Sequence, residues 1–251
     1  MSVLLQTKGI KKRYGSVEAL RGVDFAIRRG ETVALLGDNG AGKSTFVKIL
    51  SGVVHPTEGE ITYAGKPVEI SHPDVARSLG IETVYQDLGL CDNLTVSANM
   101  FLGREKTGLF GYLSKSAMAK ATEKALSGLS INVPRAEGSV ARLSGGQRQA
   151  IALARAKLWE RELVLLDEPT AALGVQESRR AMDVIKDMQK QGLALVIISH
   201  NMPLVLELAH RVVVLRHGTK VGDVARSKVQ GDDLVSLITG ARERWVEEVE
   251  A

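Results

Sequence analysis

The residues with the clearest chemical capability are Gly37-Asp38-Asn39-Gly40-Ala41-Gly42-Lys43-Ser44-Thr45, which fit the pattern Gly-x-x-x-x-Gly-Lys-[Ser/Thr]. A loop of this kind wraps a polyphosphate with its backbone N–H groups, and glycines permit the positive φ angles and close approach that this demands. The helix that follows adds the positive end of its dipole, roughly half a charge. Lys43 is placed to reach the β- and γ-phosphates of a nucleotide, and the Ser44 hydroxyl to hold Mg²⁺. The competing reading is a glycine-rich turn that binds nothing; the complete pattern and its flanks outweigh it.

Two further groups of residues could act on the same chemistry. Leu163-Val-Leu-Leu166 is a continuous apolar run that ends in Asp167-Glu168. Adjacent carboxylates after such a run are costly unless they have a task. Asp167 would enter the Mg²⁺ shell, and Glu168 would orient or deprotonate an attacking water. Leu143-Ser144-Gly145-Gly146-Gln147 precedes a helix. Ser144 suits the N-cap, and the glycines leave bare N–H groups at the helix start, a second anion site. One nucleotide has one γ-phosphate, already gripped by the first loop, so the second site serves a nucleotide held by another copy of the chain.

Single residues carry weaker signals. Gln86 ends a strand pattern and could contact Mg²⁺ or a water through its amide oxygen; alone, a surface role is equally good. His200 follows an apolar strand and could hydrogen-bond a γ-phosphate, although a lone histidine there is more often structural. Tyr14, on a turn near the loop, could stack on a purine ring. Spacing alone favours an ordinary half-buried tyrosine.

These residues need a scaffold that brings strand ends together. Glu31–Leu36 reads as a buried strand entering the loop and Thr45–Leu50 as a helix with Phe46, Ile49 and Leu50 on one side. Val3-Leu4-Leu5, the alternating Val23–Ile27 and Ile61–Tyr63 make the N-terminal part β-rich. Pro73–Leu79 reads as a short helix and Gly80–Gln86 as a strand; in doubly wound sheets ligands gather at such ends. From Asp87 to Arg142 helical patterns dominate, notably Ser114–Leu129, which marks an inserted subdomain. Its apolar start (Leu88, Leu90, Leu94, Val96, Met100, Phe101, Leu102) fits internal packing and a docking surface equally well. Helices over Arg148–Trp159, Gln176–Met188 and Pro203–Ala209 and strands over Leu193–Ile198 and Val212–Leu215 complete the pattern, and Arg242–Ala251 reads as a frayed terminal helix.

At 251 residues the chain can form one large α/β domain or one domain with an inserted subdomain. Its 44% apolar and 25% charged residues are ordinary for a globular protein, and a net charge of +4 is too small to argue for nucleic acid. The single cysteine, Cys91, excludes an internal disulfide and fits a reducing compartment. No apolar run approaches the ~18–20 residues that span a bilayer. The start lacks the order of a signal peptide. The expectation is a cytosolic protein that reaches a membrane only through a partner.

Taken in order, these stretches resemble the ATP-binding subunit of ABC transporters over nearly the whole chain. Gly37–Thr45 looks like its Walker A loop, and Leu143–Gln147 is identical to its signature pentapeptide. Leu163–Glu168 looks like Walker B with the following glutamate. Tyr14, Gln86 and His200 fall where the family has its adenine-stacking aromatic, its Q-loop glutamine and its switch histidine. The resemblance implies a RecA-like nucleotide-binding core (1–86 and 143–251) with an N-terminal antiparallel β subdomain and an inserted α-helical subdomain (87–142, extending to about 160). It also implies a head-to-tail homodimer or pseudo-dimer with ATP and Mg²⁺ between Walker A of one copy and Ser144, Gly145, Gly146 and Gln147 of the other.

One departure stands out. After Pro169-Thr170 the family usually has Ser-Ala-Leu-Asp; here Ala171-Ala-Leu-Gly174 lacks the carboxylate. This variant, with Leu102-Gly-Arg-Glu105, is similar to bacterial importers of ribose, xylose and fructose. Many of those carry two cassettes per chain, so one cassette implies a homodimer. The implied partners are an integral membrane permease and, indirectly, a solute-binding protein, with no nucleic acid, at the cytoplasmic face of the inner membrane. A soluble cassette ATPase of DNA repair or translation would instead carry a central coiled coil or two cassettes with a basic linker. An ATP-binding scaffold without turnover would not need Glu168.

Overall fold

The computed structural model describes residues 2–127, 135–159, 162–171 and 173–247. In chain order its strands are β1 (Val3–Tyr14), β2 (Val17–Arg28), β3 (Thr32–Leu36), β4 (Glu58–Tyr63), β5 (Lys66–Val68), β6 (Ile81–Val84), β7 (Leu163–Asp167), β8 (Ala194–Ile198), β9 (Arg211–Arg216), β10 (Thr219–Ala225) and β11 (Trp245–Val246). The helices are α1 (Lys43–Leu50), α2 (Pro73–Ser78), α3 (Val96–Phe101), α4 (Lys115–Ser127), α5 (Gly145–Trp159), α6 (Val175–Lys190), α7 (Met202–Leu208) and α8 (Gly231–Thr239). The chain divides into two compact units. The first comprises Met1–Thr83, Glu160–Glu168 and Met188–Ala251, and the second Val84–Trp159 and Pro169–Asp187.

The first unit is built on two sheets. A seven-stranded sheet has the order β11-β10-β9-β3-β8-β7-β6, with β3, β7, β8 and β9 parallel. Every residue of β3, β7 and β8 is buried. This explains why these strands read as unbroken apolar runs: a parallel sheet covered on both faces has no solvent side to alternate with. The second sheet, β2-β1-β4-β5, is antiparallel throughout. In β2, Val23, Phe25 and Ile27 point into the core while Asp24 and Ala26 point away, the period-two pattern of a one-sided sheet. The two sheets and α1 share one apolar core, in which the rings of Phe25 and Phe46 meet edge-on at 5.4 Å.

A buried ion cluster ties the edge of this unit together. Arg211, 7% exposed, donates from Nε to Glu31 (2.6 Å), from Nη1 to Asp223 (2.5 Å) and from Nη2 to the carbonyl of Ala26. Lys220 adds a second cation to Asp223 at 2.9 Å. Removing the guanidinium leaves the buried Glu31 carboxylate with only the Arg28 N–H, and Asp223 with Lys220 as its remaining cation. Arg211→Ala is therefore expected to cost about 3–5 kcal/mol of stability, read as a fall in the urea midpoint with the slope unchanged.

Two features of this unit differ from the sequence reading. β10 and α8 are additional elements; β10 carries Gly222 and the charged Lys220 and Asp223, which mask a strand pattern. The terminal segment is not helical where it is described: Trp245–Val246 pairs in parallel with Gly222 and Asp223, and the Glu247 N–H donates to the Asp223 carbonyl. Arg242 stacks on the Trp245 ring at 3.8 Å and covers one of its faces. Residues 248–251 lie outside the described residues.

The second unit is helical, with α3, α4 and α5 packed together. The predicted helix from Ser114 appears as α4, ending at Ser127; residues 128–134 lie outside the described residues. Phe101 and Trp159 meet edge-on at 5.5 Å, and the Trp159 indole donates to the Met100 carbonyl. In the apolar stretch near the start of this unit, Val96, Met100 and Phe101 are buried, Leu88, Leu90 and Leu94 are half-buried, and Leu102 is exposed.

Candidate nucleotide site

β3 delivers the glycine-rich loop and α1 leaves it, as the flanking pattern requires. Gly37, Gly40 and Gly42 have φ of 149°, 76° and 102°. At two of them space is also decisive: a Cβ on Gly37 would lie 2.2 Å from the Leu215 carbonyl, and one on Gly42 2.7 Å from that of Ala19. The loop thus admits no side chain at either glycine and presents its main chain to a ligand. Asp38, Asn39 and Gly40 are exposed, as is Ser44, while Ala41 is buried and Thr45 half-buried. The Asn39 N–H donates to the Asp38 carboxylate at 2.7 Å. The Lys43 ammonium is buried and donates to the carbonyls of Gly37 (2.8 Å) and Asp38 (2.9 Å). Burial pushes its pKa down, and the carboxylates of Glu168, Asp167 and Asp38 pull it back up.

The acids lie at the end of β7. Asp167 is the last residue of that strand and is buried. Glu168 follows with φ of 52°, a left-handed conformation unusual outside glycine. Its direction is therefore set by a backbone kink after the strand, not by strand alternation. The Glu168 N–H donates to the Ile198 carbonyl, and its Oε2 accepts weakly from the His200 N–H at 3.4 Å. His200 Nε2 lies 3.3 Å from Oε1, close enough for an ion pair when protonated but not aligned as a hydrogen bond, so Oε1 is buried without a hydrogen-bond partner. Burial raises the Glu168 pKa, opposed by His200 and Lys43 and reinforced by Asp167. A carboxylate held this way, beside a strained backbone, is an acceptor waiting for a donor.

Tyr14, the last residue of β1 rather than a turn residue, is 46% exposed, with the Lys12 ammonium 5.0 Å from its ring centre. Tyr14, the loop, Asp167, Glu168 and His200 all belong to the first unit; Gln86 and the signature residues belong to the second. Gln86 is exposed in the turn that follows β6.

Ser144 and Gln147 form a reciprocal cap: the Ser144 hydroxyl accepts from the Gln147 N–H at 3.3 Å, and the Gln147 amide oxygen accepts from the Ser144 N–H at 3.0 Å. This starts α5 at Gly145, three residues before the sequence boundary at Arg148, because the cap recruits the glycines into the first turn. The loop opens on a cavity of about 170 Å³ lined by Ser144, Gly146, Gln147, Leu173, Glu177 and Arg180 among others.

Two positioning residues were not legible beforehand. Glu177 covers both nearby glycines: a Cβ on Gly146 would lie 2.7 Å from its Cγ, and one on Gly174 2.6 Å from its Oε2. Arg155 on α5 donates to the carbonyls of Leu88 (2.9 Å) and Gly89 (3.0 Å), clamping the turn that contains Gln86. A single charged residue in a helical pattern gives no sign of either role.

Among the described residues, no cluster of three or more His, Cys, Asp or Glu could hold a metal by itself. Asp167 with the Ser44 hydroxyl fits Mg²⁺ instead, which keeps waters and substrate phosphates in its shell. The side-chain-free cradle at Gly37 and Gly42 and the orphaned Glu168 oxygen fit a triphosphate and a water.

The parallel sheet and its loop define a phosphate-loop nucleotide-binding fold. A family model described as "ABC transporter" matches residues 20–171, a span that holds the loop, the signature and β7 but not Tyr14 or His200. The chain is 46% identical over 247 residues to the fructose import ATP-binding protein FrcA of Rhizobium meliloti, covering 96% of this chain and 95% of that protein. It is 43% identical over 239 residues to the xylose/arabinose import ATP-binding protein XylG of Sulfolobus acidocaldarius, covering 95% of each. Among solved structures, a dimeric ATP-binding cassette in a post-hydrolysis state with ADP and Pi superposes with a TM-score of 0.78 at 26% identity, covering 89% of this chain and 99% of that one. The chain belongs to the ABC transporter family, as an ATP-binding cassette.

Proposed function

We propose that this chain is the ATP-hydrolysing subunit of an importer that carries a monosaccharide through a membrane permease, working as a homodimer at the cytoplasmic face of the inner membrane, with a solute-binding protein as an indirect partner. The observation that carries this reading is near-complete overlap, at 43–46% identity, with two sugar import ATP-binding proteins. No helix among the described residues is long and apolar enough to cross a membrane, so the permease would supply the path.

In this reading Tyr14 stacks on adenine, and the loop from Gly37 to Thr45 holds the phosphates. Lys43 neutralises charge on the transferring phosphoryl group. Glu168 accepts a proton from the attacking water as oxygen bonds to the γ-phosphorus and the bond to the β-phosphate oxygen breaks, leaving ADP and phosphate. His200 holds the γ-phosphate and steadies the Glu168 carboxylate. Ser44, Asp167 and Gln86 would hold Mg²⁺, which supplies further charge neutralisation when bound. Ser144, Gly145, Gly146 and Gln147 of the second copy close over the γ-phosphate, and binding energy that differs between open and closed dimers performs the work. Because burial raises Glu168, its proton-accepting form is lost at a higher pH than for an ordinary carboxylate. The acidic limb of the ATPase pH profile is therefore expected at a higher pH than an unperturbed glutamate would give, and a limb at or below that pH would contradict this role.

The test is affinity capture of the tagged chain from its own membranes, followed by reconstitution in proteoliposomes. A co-purifying permease and sugar uptake that requires ATP are expected. Recovery with ribosomes or DNA, and none with membranes, would overturn the reading.

A further inference from the structure

A short finger in the second unit has no part in nucleotide chemistry. Thr107 and Leu113 form an antiparallel bridge, the Gly108 N–H donates to the Tyr112 carbonyl, and the Ser114 N–H donates to the Lys106 carbonyl, both at 2.8 Å. A single 3₁₀ turn, Leu109–Gly111, makes the tip. There Phe110 sits at φ 62° with 89% of its surface exposed, and Tyr112 is 77% exposed. A phenylalanine held in the left-handed region at the end of a hydrogen-bonded hairpin, facing outward, is displayed rather than stored.

The surroundings of the tip are basic. Arg104, Lys106 and Lys115 flank it, against one acid, Glu105, whose carboxylate accepts from the Gly103 N–H at 2.9 Å. Arg104 and Lys106 lie over the rings of Trp159 (4.8 Å) and Phe101 (5.4 Å), so the cations at the base are anchored to the core of the unit.

We propose that this finger is a membrane-interface anchor, which seats Phe110 and Tyr112 among the headgroups of an anionic bilayer while the exposed Lys106 and Lys115 face the lipid phosphates. Aromatic rings favour the headgroup level, and lysines beside them gain from anionic lipid. The tip offers a protein partner little for directional recognition, since the tyrosine hydroxyl is the one polar group on its two displayed rings. The finger of a second copy would meet it with like charge. This role goes beyond the transport reading and does not depend on it.

The experiment is flotation of the purified full chain with vesicles of phosphatidylcholine and phosphatidylglycerol at low salt. Binding to the anionic vesicles is expected, weakened at least about tenfold in pure phosphatidylcholine or by 0.5 M salt. Phe110→Ser with Tyr112→Ser, and separately Lys106→Glu with Lys115→Glu, are each expected to lower binding at least about tenfold with an unchanged melting temperature. No binding of the unmodified chain to anionic vesicles, or equal binding by the variants, overturns the proposal. Loss of permease co-purification by the first variant, without vesicle binding by the unmodified chain, would place the finger on protein and overturn it too.

Discussion

Glu168→Gln is expected to lower steady-state phosphate release about 10²- to 10⁴-fold while ATP still binds. The amide keeps the shape of the side chain but cannot take a proton from water. Its neighbours respond in a predictable way. Glu168 Oε1 is buried without a hydrogen-bond partner, and burial holds the carboxyl pKa above its ordinary value. For an acid raised on folding, the folded state binds the proton more tightly than the unfolded chain. The resulting loss of stability is absent below the unfolded pKa, develops as pH rises through the folded one, and is complete above it. The glutamine variant avoids it. The ligand-free variant is therefore expected to melt above the unmodified chain at pH 7, and to accumulate as an ATP-bound dimer in gel filtration. Substantial turnover by the variant would remove Glu168 from the water-activating role.

Lys43→Ala is expected to weaken ATP binding at least about 100-fold, in line with losing two charge-assisted contacts of about 1.5–3 kcal/mol each. The ammonium also donates to the carbonyls of Gly37 and Asp38, so the substitution loosens the loop before any nucleotide arrives. No other cation comes from the loop itself, whose remaining residues are glycine, alanine, asparagine, aspartate, serine and threonine. Titration with a fluorescent ATP analogue measures the effect. Affinity unchanged within twofold would mean that backbone N–H groups alone hold the phosphates.

The parts of this molecule that were legible beforehand are those written in short stretches. Gly37–Thr45 specifies its own loop because glycine spacing and the Lys-Ser pair are local, and β3, β7 and β8 announce themselves by apolar runs that few other elements produce. Ser144 and the two glycines after it predicted a helix start for the same reason, although the Gln147 side of the cap did not show in the sequence. What escaped is non-local or backbone-born. The Arg211 cluster joins residues 180 positions apart, and nothing near Glu31 hints at its partner. Arg155 reaches back 67 positions to the Leu88 carbonyl. The left-handed kink at Glu168 follows from the end of the strand, which side-chain periodicity does not mark. The edge pair of β10 and β11 is a two-residue match with no pattern to read.

The claim that matters most is that each catalytic site is assembled from two copies, and mixing two dead variants tests it. Lys43→Ala disables one loop and Ser144→Arg blocks one signature, so each homodimer is inactive. In a mixture, half-sites from different chains can pair, and about a quarter of the unmodified ATPase rate is expected from an equal mix of a symmetric dimer. Full activity of Ser144→Arg alone, or a mixture as silent as its components when both variants are folded, would contradict it.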